Sequence, residues 1–167
     1  MKVKIKLKGG IMPKKAHPSD AAFDLYVPED VVLQLGRQII DLKFRIELPS
    51  GYAATIQPRS GFSSKGIEVE EYFDPLGGGA TDITTTRVDG DVLRGLIDSG
   101  YRGNVGVILN IISLGVECED EYYHILKKGT RIAQMQIVEV PQVELEEVEE
   151  LSDTDRGEGG FGHTGAR

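Results

Sequence analysis

Short apolar runs recur along the chain at 3–7, 31–35, 39–48, 52–56, 105–112, 122–126 and 131–140, several of them alternating with polar residues. A period of two places side chains on opposite faces of a strand, so these runs predict strands. Turn clusters such as Pro49-Ser50-Gly51, Asp98-Ser99-Gly100 and Lys127-Lys128-Gly129 separate them. Many short strands joined by such turns predict an all-β fold, a barrel or a jelly-roll-like double sheet. The opening Met1-Lys2-Val3-Lys4-Ile5-Lys6-Leu7-Lys8 alternates lysine with apolar residues and has no signal-peptide core. The most apolar stretch, 105–116, is too short for a membrane span and is interrupted by Asn110 and Ser113, so it reads as a buried strand.

Three segments break the pattern. Residues 70–91 hold Leu76-Gly77-Gly78-Gly79-Ala80 and Thr84-Thr85-Thr86, too glycine-rich and polar for a central strand, and read as a long surface excursion. Residues 143–151 are acidic with apolar positions that fit neither period, so helix and edge strand both stay open. Residues 152–167 have no period, and composition makes them a flexible tail carrying one isolated aromatic, Phe161. The predicted organisation is one β-barrel domain over 1–151 with an insertion near 70–91, followed by a glycine-rich end over 152–167.

A chain of 167 residues defaults to one domain, and 21 glycines with 7 prolines argue against long helices. The formal net charge of -8 leaves no broad basic face, so nucleic acid is not an expected partner, and neither is a membrane. A small polyanion is still admissible where a few arginines or a divalent metal converge. Cys118 is the only cysteine, which excludes an internal disulfide and points to an intracellular, cytoplasmic setting in which Cys118 is a small buried side chain. His17, His124 and His163 lack the spacing of a zinc site.

Four stretches carry candidate chemistry. Pro58-Arg59-Ser60-Gly61 follows a strand and offers a guanidinium, a hydroxyl and an approachable amide, a set that suits a phosphate and equally an ordinary turn. Residues 95–103 place Asp98 and Tyr101 at the tip of a predicted hairpin framed by glycines, where backbone groups can read a flat base or Asp98 can simply start an Asx-turn. Gly129-Thr130-Arg131-Ile132-Ala133-Gln134 opens a strand whose Arg and Gln also fit a solvated face. In the tail, Phe161 beside Arg156 fits a lid that stacks on a base and takes phosphate oxygens. No nucleophile with a base at usable spacing is present, and no P-loop. What remains is equipment for metal-assisted attack of water on a phosphate.

Together and in order, these segments with Ala21-Ala22-Phe23-Asp24-Leu25 resemble the five motifs of the trimeric dUTP diphosphatases (dUTPases). The resemblance implies a jelly-roll-like double-sheet barrel, a homotrimer with shared sites, and hydrolysis of dUTP to dUMP and pyrophosphate. It implies that Asp98 activates the water attacking the α-phosphorus, and that Tyr101 packs beneath the deoxyribose and leaves no space for a 2'-hydroxyl. The backbone of Leu96, Ile97 and Gly106 would pair with uracil. Arg59, Ser60, Gly61 and Gln134 would hold phosphates, with Arg156, Phe161, Gly162 and Thr164 closing over the nucleotide. Mg²⁺ would arrive on the triphosphate, and Asp24 would support its water shell or a neighbouring arginine. Two features depart from the family: His163 stands where a serine is usual, and the 70–91 excursion separates the second and third motifs. The excursion suggests an interaction protein of the viral or phage type as one alternative, and the related dCTP deaminases are another.

Overall fold

The structure is a computed structural model that describes residues 1–74, 82–114, 122–155 and 157–158. Its elements run β1 (Lys4–Leu7), β2 (Phe23–Tyr26), β3 (Val31–Val32), β4 (Gly36–Glu47), β5 (Tyr52–Gln57) and α1 (Ser60–Lys65). They continue with β6 (Ile67–Phe73), β7 (Asp82–Leu93), β8 (Gly95–Ile97), β9 (Asn104–Ser113), β10 (Tyr122–Leu126) and β11 (Arg131–Glu139). A seven-stranded antiparallel sheet has the order β1-β4-β9-β7-β6-β10-β3, and a four-stranded one the order β2-β11-β5-β8.

The alternation read from the sequence sets the faces. In β4, Ile40, Leu42, Phe44 and Ile46 are buried, and opposite them Val105, Val107, Leu109 and Ile111 of β9 turn the same way. Leu25, Ile56, Ile132 and Met135 of the smaller sheet close the core from the other side. Each such side chain contributes about 1.5–3 kcal/mol on burial, which holds two sheets without a disulfide. α1 is a short helix that buries Phe62 and stops at Gly66, φ 73°, where a Cβ would stand 2.5 Å from the Val88 carbonyl oxygen.

Several expectations are corrected. The excursion is not an irregular insertion: residues 70–73 finish β6 and 82–91 belong to β7, which pairs with β6 and then with β9. Val88 is 1% exposed, so β7 reaches into the core. The β-branched residues of Ile83-Thr84-Thr85-Thr86-Arg87-Val88 suit a pleated strand, and their propensity outweighs the polarity that argued against one. Residues 75–81, with the glycine run, lie outside the described residues, as do Cys118 and the end of the 105–116 stretch. The predicted hairpin at 95–103 is a crossing between sheets instead, because β8 pairs with β5 while β9 pairs with β4 and β7. Of the 31–35 run only Val31–Val32 is strand. Residues 143–151 are in neither helix nor strand, and all are exposed.

An ion pair links the connection after β2 to the one between β10 and β11. Asp30 accepts from Lys127 Nζ, and from the Lys128 backbone N–H at 2.8 Å. The Lys127 bond, more than the Lys128 N–H, holds the Asp30 carboxyl below its ordinary value. A depressed folded pKa contributes stability above the ordinary carboxylate range that is lost as pH falls through the folded value. Asp30→Asn is therefore expected to lower Tm at pH 7, with the gap to the parent narrowing toward pH 3 in a thermal melt series.

Candidate active site

The first half of the site is the crossing from β8 to β9. β8 is the edge of its sheet: β5 takes one side of its backbone, and among the described residues its other side carries no ladder. A planar ligand bearing donors and acceptors can be read along such an edge. The turn between the strands is held by its own bonds. Tyr101 N–H donates to Asp98 O at 3.1 Å, the Tyr101 hydroxyl to Asn104 O at 2.8 Å, and Arg102 Nη1 to Ser99 O at 2.6 Å. A Cβ on Gly103 would lie 2.3 Å from the Tyr101 hydroxyl oxygen, so only glycine lets the ring fold back over the chain. The result is a cavity of about 300 Å³ lined by Gly95, Leu96, Ile97, Tyr101 and Gly106, with the exposed Asp98 among its walls.

The second half gathers the other motifs. In β2, Leu25 enters the core, so by alternation Asp24 faces outward. Its backbone is pinned between Lys14 and Gln134 of β11. Asp24 Oδ1 accepts from Arg59 Nε at 2.8 Å and Oδ2 from Arg131 Nη1 at 3.4 Å, with its side chain only 13% exposed. One carboxylate thus orients two guanidinium groups at the edge of a cavity of about 360 Å³, which Ser60 and Gln134 also line. Gln134 Nε2 donates to Pro58 O at 3.0 Å, tying β11 to the chain just before α1. Delocalised guanidinium groups whose free N–H donors face a polar cavity suit phosphate oxygens. Gly61 opens on an adjoining cavity of about 300 Å³, where Lys65 and Arg87 join the same two arginines.

The structure brings Arg59, Ser60, Gln134 and Asp24 together, and separately Leu96, Ile97, Asp98, Tyr101 and Gly106. The two groups share no lining residue. Ile56 lines one and its neighbour Gln57 the other, so β5 is bordered by both. Arg156, Phe161, Gly162, His163 and Thr164 lie outside the described residues. Sequence reasoning missed Arg131, which fitted a solvated face, and Asn104, a polar residue at a strand start whose importance lies in what it holds.

A family model described as dUTPase matches residues 8–74 and 86–165. The chain belongs to the dUTPase family. The family match passes over 75–85, so the added segment is shorter than the 70–91 stretch suggested by composition. Among relatives, the deoxyuridine 5'-triphosphate nucleotidohydrolase of Gloeothece citriformis is 40% identical over 168 residues, covering 99% of this chain and 97% of that one. The protein of the same name from Clostridium tetani is 37% identical over 166 residues, covering 99% and 96%. Among solved structures, a mutant dUTPase of Staphylococcus bacteriophage 80alpha with dUpNHpp superposes with TM-score 0.74 at 30% identity, covering 98% of each chain. The family's fold is all-β and jelly-roll-like, as the strand pattern predicted. No helix among the described residues is long and apolar enough to cross a membrane.

Proposed function

We propose that this dUTPase-family chain hydrolyses dUTP to dUMP and pyrophosphate inside the cell, as a homotrimer whose sites combine residues of different subunits. The observation that carries the reading is the coexistence of an edge-strand pocket bearing Asp98 and Tyr101 with an arginine cradle organised by Asp24. Uracil would pair with the backbone of Leu96, Ile97 and Gly106, and Tyr101 would lie under the deoxyribose. Cytosine, with an amino group where uracil has a carbonyl, would leave buried groups unpaired. Arg59, Ser60, Gly61, Gln134 and Arg131 would hold phosphate oxygens. Asp24 serves the arginines, since both its oxygens are already engaged by them.

In the reaction, Asp98 accepts a proton from water as the water oxygen bonds to the α-phosphorus. The bond from that phosphorus to the oxygen bridging to the β-phosphate breaks, and pyrophosphate leaves. With Asp24 occupied, the donor set fits Mg²⁺ held mainly by substrate phosphates, where it would neutralise charge on their oxygens. Subunit sharing is supported by the two half-sites having no lining residue in common, and by apolar side chains on the outer face of β4 and β9. Ile39 there is 74% exposed. Residues 152–167 would act as the closing segment, with Arg156 and Thr164 at the phosphates and Phe161 and Gly162 over the base.

The test is pyrophosphate release from dUTP, dTTP, dCTP and UTP, with and without Mg²⁺. The expected result is strong preference for dUTP and dependence on Mg²⁺. Comparable rates on dUTP and UTP would remove the assignment of Tyr101, and ammonia release from dCTP would favour the deaminase alternative.

A second role, protein docking, is favoured by the β6–β7 hairpin. Its outer end carries Tyr72 stacked on Tyr123 at 5.0 Å and Phe73 against Tyr122 at 4.8 Å. Solved phage relatives are described as controlling transfer of virulence genes by a G protein-like mechanism. Deleting all of 70–91 would remove most of β7, so the informative variant replaces only 75–81 with a short glycine linker. Hydrolysis by that variant is expected to stay within about twofold of the parent, because none of the five motif stretches lies there. A folded trimer without activity would show instead that the hairpin tip shapes the site.

A further inference from the structure

The turn bearing Asp98 and Tyr101 is braced from the neighbouring strand. β4 pairs with β9 from Gly36↔Ile111 to Asp41↔Gly106, then loses register and resumes at Arg45↔Asn104. Within this bulge Lys43 has φ 53°, a left-handed conformation uncommon for a residue with a side chain. Asp41 holds it there: Oδ1 accepts the Lys43 N–H at 2.8 Å, and Oδ2 accepts from Asn104 Nδ2 at 2.9 Å. At the other end of the same amide, Asn104 Oδ1 accepts from Arg45 Nε at 3.0 Å. The Asn104 backbone oxygen in turn accepts the Tyr101 hydroxyl at 2.8 Å. On the far side of the bulge, Lys43 O accepts N–H groups of Lys8 at 2.8 Å and Gly10 at 2.9 Å. A Cβ on Gly10 would come within 2.2 Å of Leu42 O, so that contact admits only glycine.

We infer that Asp41, Asn104 and Arg45 form a positioning device for Tyr101 and thereby set how strongly the site rejects a ribonucleotide. The inference rests on the proposed place of Tyr101 beneath the deoxyribose. An aromatic ring refuses a 2'-hydroxyl only if it cannot retreat, since a small shift opens the space that oxygen needs. The Tyr101 ring is anchored through its hydroxyl to a carbonyl whose own residue is clamped at both ends of its side-chain amide. The bulge supplies both clamps, because the register break brings Asp41 and Arg45 to either side of Asn104. None of these three side chains is asked to touch the reacting phosphate, so they bear on selectivity rather than on the chemical step.

The decisive variant is Asp41→Asn, which keeps the volume but turns an NH₂ group toward one of the two donors that the carboxylate accepted. The expected result is a fall in the dUTP-to-UTP ratio of kcat/KM by about tenfold, through better use of UTP, with kcat for dUTP within about twofold. Arg45→Gln, which removes the other clamp, should relax the ratio in the same direction. Combining Asp41→Asn with Asn104→Asp reverses the donor and acceptor of the central bond. The amide at position 41 then donates to the carboxylate at 104, Arg45 keeps its acceptor, and the ratio should recover to within about threefold of the parent. Thermal melts and trimer mass establish that each variant is assembled. If assembled Asp41→Asn and Arg45→Gln keep the parental ratio while Tyr101→Phe relaxes it, the positioning device is refuted and the role of Tyr101 stands. If Tyr101→Phe also leaves the ratio unchanged, the placement of Tyr101 fails and this inference fails with it.

Discussion

Asp98→Asn is expected to lower kcat for dUTP by on the order of 10²-fold or more while KM stays within a few-fold, the pattern of losing a positioned general base. The substitution is nearly isosteric, and the turn does not depend on the carboxylate for its shape. It is held by the Asp98 backbone oxygen accepting from Tyr101, by the Tyr101 hydroxyl on Asn104, and by Arg102 on the Ser99 carbonyl. The pocket that would receive uracil is lined largely by backbone and apolar groups of β8 and β9, which the change leaves alone. Single-turnover kinetics with dUTP measures the chemical step directly. Near-normal turnover would reduce Asp98 to an ordinary turn residue and leave the proposed chemistry without a base.

A chain truncated after Asp155 is expected to fold and trimerise yet lose most of its activity. The truncation leaves every core residue in place, and the described end it keeps, residues 140–155, is exposed throughout. The expected loss follows from the roles proposed for Arg156 at the phosphates and Phe161 over the base. Leu145 and Leu151 stay 95% and 87% exposed. Mixing separates action in trans from action in cis. Asp98→Asn subunits keep their tails and truncated subunits keep their Asp98. Refolded together, they should form some sites that pair one subunit's Asp98 with another's tail, and activity should reappear. Mixed trimers that demonstrably form and stay inactive would contradict the shared site.

Much of the fold was legible in the order of the residues because burial on one face of a strand leaves a period of two. β4, β5, β9, β10 and β11 fall on the apolar runs within a residue or two at most ends, apart from β4, which starts three residues early. β7 was not legible. Its outer half pairs only with β6 and is exposed on both sides of the pleat, so apart from Ile83 it is polar and gives no alternating signal. α1 was not read from the sequence, where only its first residues, Ser60 and Gly61, were taken as part of a phosphate-binding stretch or turn, since a helix of a few residues has too little length to display its period. At the site, Asp98, Tyr101 and Arg59 stood out because each sits among turn-forming residues that a ligand can approach, whereas Gln134 entered only through the family resemblance. Arg131 did not, because a guanidinium at the start of a strand is indistinguishable from surface until its partner is known.

The sequence alone determined the all-β class and the buried face of most strands, and it singled out the four local stretches proposed to carry phosphate and base chemistry, because each depends on residues a few positions apart. Tertiary structure decided which of them meet. Asp24, Arg59 and Arg131 converge only through the pairing of β2 and β5 with β11. Asn104 comes between Asp41 and Arg45 only where β4 slips its register against β9. Such contacts join residues separated by up to 107 positions. Which strands become neighbours is set by how all the apolar faces pack at once, and no local pattern of residues contains that.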